Sequence, residues 1–244
     1  MLSAMHDWKR TILSTRPVSP SSVEAALAKN IGIDILSFIT TTPVETIEVK
    51  QEIELAASQM ATVVFTSMNA AGAVTAMLDG FVPEWNIYCM GYATKELVKN
   101  YFGENSIAGT ADNATELAEE IIEADTADEV IFFCGNRRRD ELPGKLQKHQ
   151  IDVNEIVVYQ TEKHPHKIDK EYDGILFFSP SAVESFFAAN KLPTRTILFA
   201  IGLTTKETVG KYCSNKIVVS KLPGKDQLVE QAVLYFAATG VSGE

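Results

Sequence analysis

VVFTSMNAA (63–71) and ILFFSPSAV (175–183) share one pattern: an apolar run, a serine, a small or turn-forming residue, then an alanine-rich start to a helical period. A short apolar run bounded by a turn signal reads as a buried strand, and the segment after it as a helix. Ser67 and Ser179 lie 112 residues apart, and the spacing persists downstream. IYCMGYATKELV (87–98) echoes ILFAIGLTTKETV (197–209), with Gly91 and Gly202 separated by 111. IAGTADNATELAEEI (107–121) echoes VVSKLPGKDQLVEQA (218–232), with Leu117 and Leu228 again 111 apart. Three landmarks at a nearly constant offset indicate an internal duplication.

The remaining segments pair more loosely. TILSTRP (11–17), a helical EAALAKN and IGIDILSFITT run strand, helix, strand; VIFFCGNRR (130–138), a helical GKLQKHQ and IDVNEIVVYQT repeat that order. The chain therefore alternates a short unit and a long unit, twice. Strands alternating with helices throughout indicate an α/β fold of two similar doubly wound, parallel-sheet lobes. Two assemblies fit: consecutive domains divided near residue 125, or a middle domain inserted between the first short unit and the last long one. TTTPVETIEV (40–49) and VVYQTEKHPHKI (157–168) are β-rich, polar and Pro-punctuated, as paired connectors between lobes would be. Composition leaves the choice open.

The chain of 244 residues is long enough for one large domain or two small ones. Its 45% hydrophobic and 22% charged residues are ordinary for a globular protein. A net charge of −10 argues against a broad nucleic-acid surface, which needs a positive field. No apolar run reaches the length of a membrane span, and MLSAMHDWKR has no signal-type hydrophobic stretch, so a cytoplasmic protein away from membranes is expected. Cys89, Cys134 and Cys213 are odd in number and far apart, which reads as reduced thiols rather than a disulfide frame or metal set.

Ser67, Ser179 and Ser181 fall where strands meet helices. That is the edge of an open α/β sheet that binds ligands, and helix starts offer free N–H groups to anions. The plainer reading is N-capping, at about 1 kcal/mol per cap. Thr94, Thr204 and Thr205 follow glycine turns of the same form, and neither segment fits a GxGxxG dinucleotide site. Arg137, Arg138 and Arg139 form the only concentrated positive run; Arg137 and Arg16 each lie just past a strand, where a guanidinium fork could pair with carboxylates. Tyr159 ends the apolar run IVVYQT, a place equally suited to a core tyrosine with its hydroxyl bonded. His164 and His166 have no Cys or acidic partner at metal-ligand spacing.

Together TRP (15–17), FTS (65–67), GYAT (91–94), VYQT (158–161), FFSPSAV (177–183) and IGLTT (201–205) resemble, in order, the uroporphyrinogen-III synthase (HemD-like) family. Leu203 stands where the family usually has Pro, and Met68 follows the first FTS; both differences touch turn detail. The resemblance implies a discontinuous lobe, 1–40 plus 170–244, and an inserted lobe, 48–157, joined by a two-stranded β connector (41–47 and 158–169). It implies cyclisation of hydroxymethylbilane, with inversion of the terminal pyrrole and loss of water, in a cleft between lobes and without cofactor or metal. By the same resemblance Tyr159 is the acid that assists departure of the hydroxyl. Arg16, Ser67, Thr94, Arg137, Ser179, Ser181, Thr204 and Thr205 would bind the carboxylates of this polyanion. A monomer acting on a small molecule is expected. A cytosolic two-lobed anion-binding module without catalysis, or a synthase domain that keeps only the fold, would carry the same motifs.

Overall fold

The computed structural model describes residues 8–222 and 224–239, with Tyr92 and Thr239 described in their backbone alone. The first seven residues, read above for a leader, and Pro223 lie outside them. In chain order the elements are β1 (Arg10–Ser14), α1 (Pro20–Leu27), β2 (Ile31–Ile35), β3 (Ile39–Pro43), α2 (Ile47–Ala57), β4 (Ala61–Phe65) and α3 (Met68–Leu78). Then come β5 (Trp85–Met90), α4 (Tyr92–Phe102), β6 (Ile107–Ala111), α5 (Ala114–Ala124), β7 (Glu129–Gly135), α6 (Glu141–Lys148) and β8 (Asp152–Lys163). The chain closes with β9 (Gly174–Phe177), α7 (Pro180–Phe187), β10 (Ile197–Ala200), α8 (Leu203–Gly210), β11 (Ile217–Val219) and α9 (Lys225–Thr239). The expected α/β class with parallel sheets is borne out. Among the described residues no helix is long and apolar enough to cross a membrane.

Two compact units result: a split unit, Met1–Thr40 with Glu162–Glu244, and a continuous unit, Thr41–Thr161. The split unit has a parallel sheet in the order β11-β10-β9-β1-β2. The continuous unit has the order β3-β8-β7-β4-β5-β6, parallel from β8 to β6. Matching β1 with β7, β2 with β8, and β9, β10 and β11 with β4, β5 and β6 carries one order onto the other. Each sheet thus combines one short and one long segment of the repeat. The direction of winding reverses between β1 and β9 in one sheet and between β4 and β7 in the other. Crevices at the carboxyl ends of such switch points are where doubly wound sheets take ligands.

Alternation along the strands explains why both faces are covered. Val63, Phe65, Ile131 and Phe133 face a core completed by Ile53, Ala70, Val74 and Val98. Their neighbours Val64, Val130 and Phe132 face the opposite core with Leu117, Ile121, Leu142 and Leu146. In the split unit Ile12, Leu176 and Phe199 pack against α9 through Leu228, Val229 and Phe236, whereas Leu13, Ile175, Phe177 and Leu198 meet Val183, Phe186 and Val209. Strands buried on both faces need continuous apolar runs, which is what VVF and ILFF supply.

One local difference from the sequence reading concerns 40–49. The β-rich stretch ends as a strand at Pro43, and Thr46 instead caps α2, its hydroxyl accepting from Val49 N at 3.4 Å. Ile47 and Val49 of TIEV belong to a helix whose buried side, Ile53, Ala56 and Ala57, lies further along. Burial at helical spacing outweighs their weak strand preference. The chain passes between units inside β3 and again inside β8. Val44 N–H donates to Val158 O and His164 N–H to Phe38 O, both at 2.9 Å, so these neighbouring segments run antiparallel.

Candidate active site

In the continuous unit the carboxyl edge is organised by Ser67. Its backbone is extended, ending β4, and its Oγ accepts from Ala70 N at 3.2 Å, capping α3. The same hydroxyl donates to the Tyr159 phenol oxygen at 3.1 Å. Capping and site-building are therefore both functions of one side chain. Because Ser67 donates, the proton of Tyr159 is left for another acceptor. Burial pushes the phenol above the ordinary tyrosine value, with the Ser67 hydrogen bond acting the other way, so Tyr159 is a protonated donor at neutral pH.

Tyr159 is aimed by backbone chemistry that motif reading missed. It pairs with Gly135 at the end of β7, where the β7–β8 register shifts. A Cβ at Gly135 would lie 2.4 Å from Tyr159 Cζ, so only glycine lets the ring lie across this strand. Asn136 adds a clamp on both sides of the tyrosine: its N–H donates to Tyr159 O at 3.1 Å and its Oδ1 accepts from Thr161 N at 2.9 Å. Arg137, the next residue, is exposed at the same strand end. Arg138 is engaged by Glu155 and Asp140, and Arg139 by Glu141.

Thr94 is buried in the first turn of α4, which starts at Gly91 with a positive φ of 23° and no side-chain cap. In the split unit α8 starts likewise at Gly202 without a side-chain cap, with Thr204 half-buried and Thr205 buried in its first turn. Ser179 repeats the role of Ser67, its Oγ accepting from Ala182 N at 3.2 Å to cap α7, and Ser181 follows half-buried in the first turn. Each sheet edge thus carries one serine-capped helix and one glycine-started helix. The latter leaves first-turn N–H groups without a side-chain acceptor, the usual condition for holding an anion.

Arg16 lies two residues beyond β1, at the β1/β9 switch point. The turn that presents it is fixed by Thr15, whose N–H and hydroxyl both reach Leu176 O (3.2 and 2.7 Å), and by Ser14 Oγ donating to Arg16 O at 2.6 Å. The guanidinium carbon stands 5.9 Å from the centre of the Phe178 ring, and burial draws the group below the ordinary arginine value. Arg16, Ser179 and Ser181 gather at one switch point; Ser67, Arg137 and Tyr159 gather at the other.

Comparison with known proteins bears on this arrangement. Residues 22–230 match the family described as uroporphyrinogen-III synthase HemD. The uroporphyrinogen-III synthase of Saccharomyces cerevisiae is 30% identical over 175 residues, a match covering 61% of this chain and 64% of that protein's own length. A mutant uroporphyrinogen III synthase of the extremely thermophilic bacterium Thermus thermophilus shares the fold with a TM-score of 0.66 at 12% identity, over 95% of this chain and 99% of that one. The uroporphyrinogen-III synthetase of Helicobacter pylori gives 0.62 at 17% identity, over 93% and 99%. With a match running through most of its length, the chain belongs to the uroporphyrinogen-III synthase HemD family.

Proposed function

We propose that this chain cyclises hydroxymethylbilane to uroporphyrinogen III, inverting the terminal pyrrole and releasing water, as a cytoplasmic monomer in tetrapyrrole biosynthesis. The family match over residues 22–230 carries the reading. The chemistry is consistent with the residues. Breaking the terminal C–O bond requires a proton on the departing oxygen, and Tyr159 is a protonated phenol whose hydrogen is not spent on Ser67. Loss of water leaves an azafulvenium cation. Attack by the substituted position of the last ring, then rearrangement, closes the macrocycle; the proton lost from that ring balances the one given by the phenol.

Left in water the linear chain closes without inversion, so the main demand is on conformation rather than on acid strength. Arg16, Arg137, Ser67, Ser179, Ser181, Thr94, Thr204 and Thr205 supply that control by engaging carboxylates of a long polyanion. Glycine-started helices and a few arginines suit such a ligand, because they hold anions without burying many charges. The deciding experiment feeds hydroxymethylbilane to the purified chain and measures the ratio of type III to type I uroporphyrinogen. Predominant type III is expected; type I alone sinks the synthase reading and leaves a binding module.

A further inference from the structure

Lys225, the first residue of α9, is placed against electrostatic sense. At the repeat offset it corresponds to Ala114, the first residue of α5, while Gly224 corresponds to the capping Asn113. A cation in the first turn of a helix opposes the helix dipole. Burial first, then the charge of Arg16, draw Lys225 below the ordinary lysine value, against the opposing pull of Asp226. Neither Arg16 nor Lys225 forms an ion pair within 4.0 Å among the described residues, although the protein carries a net charge of −10.

The carboxylate next in the chain is engaged by hydroxyls. Asp226 Oδ1 lies 2.7 Å from both Ser19 Oγ and Ser22 Oγ, at the capped start of α1. Those bonds hold Asp226 below the ordinary carboxylate range and tie the start of α9 to the segment that follows Arg16. The tie holds the first turn of α9, which carries Lys225, against the capped start of α1 that follows Arg16, and engages the neighbouring carboxylate with serine hydroxyls. Two like charges that act on one another while part-buried are costly unless an anion joins them.

We infer that Lys225 and Arg16 form one carboxylate-binding subsite, held by the Asp226–Ser19–Ser22 clamp, and that it takes an acidic side chain of the tetrapyrrole. The inference deepens the synthase reading and rests on it. Lys225 is a binding residue here, and Asp226, Ser19 and Ser22 are positioning residues.

The test compares the full chain with Lys225→Met and Lys225→Arg in three measurements: affinity for uroporphyrinogen III under anaerobic conditions, KM and kcat for hydroxymethylbilane, and thermal midpoint. Losing one charge-assisted contact should weaken product binding and raise KM by about tenfold, with a smaller effect on kcat. Lys225→Arg should restore most of the affinity. Removing one of two repelling cations should leave the thermal midpoint unchanged or raised, which a structural role for the lysine would not do. Unchanged affinity and KM in Lys225→Met overturn the subsite while leaving the synthase reading intact. So does a lowered midpoint with lost affinity that arginine fails to recover. A wild-type chain that yields only type I product overturns the synthase reading, and the tetrapyrrole as occupant with it.

Discussion

Tyr159 and Ser67 act as a pair, and substitution separates their roles. Tyr159→Phe removes the acid but keeps the ring over Gly135, so turnover should fall by about 10²-fold with an unchanged melting midpoint; activity near wild type would remove Tyr159 from the acid role. Ser67→Ala loses both the cap of α3 and the donor to Tyr159, whereas Ser179→Ala loses a cap with no tyrosine attached. Each should cost about 1 kcal/mol of stability in denaturant titration. If the Ser67 hydroxyl has a second role, type III yield should fall further in Ser67→Ala than in Ser179→Ala. Arg16 and the serines could be picked out from the sequence because strand-to-helix junctions announce themselves by composition. Gly135 and Asn136 could not, since their importance arises from lying opposite Tyr159 in the β7–β8 register. Lys225 was hidden for a related reason: Ser19 and Asp226, which place it, are 207 residues apart.

At the level of elements, the junction between β7 and β8 is the most demanding part of the continuous unit. Gly135→Ala would drive a methyl into the phenol ring, so either the ring or the strand must move. We expect a loss of about 1–3 kcal/mol, typical of overpacking. Type III formation should fall at least as far as in Tyr159→Phe. Activity retained in Gly135→Ala would mean that the ring position is not critical. The paired helices show how far periodicity carries a prediction. Apolar runs ending in serine or glycine fix α3, α4, α7 and α8 at their observed starts, because strand, turn and helix each leave a compositional mark. The start of α2 was concealed, since TIEV is rich in β-branched residues and its buried positions begin only at Ile53.

For the molecule as a whole, the duplicated pattern made the α/β class legible, while composition alone left open how the four segments close into sheets. That depends on which edges meet, a matter of pairing across more than a hundred residues. Burial has a consequence for alkaline stability. Cys89 and Cys134 are pushed up to about 11 from 9.0, burial being the main cause in both. Below pH 9 the folded and unfolded chains hold these protons alike. Between 9 and 11 the unfolded chain gives them up first, so stability should decline over that window, and Cys→Ala variants should show a shallower decline in urea midpoints. A slope unchanged in both variants would assign the alkaline limb to other groups. The continuous unit has cores on both faces of its sheet, so residues 41–161 expressed alone should melt cooperatively by circular dichroism; a gradual melt would show that it depends on the rest of the chain. The sheet of the split unit sets a different condition, one of timing. Ile12 pairs with Gly174. A ribosome adding about 5–20 residues per second therefore holds β1 and β2 without their central neighbour for roughly 10–30 s. During that interval the buried faces of Ile12 and Leu13 are uncovered while the middle of the protein is made and folds. Destabilising changes in β1 or β2 should accordingly reduce soluble yield in cells more than they lower the melting point of whatever protein is recovered.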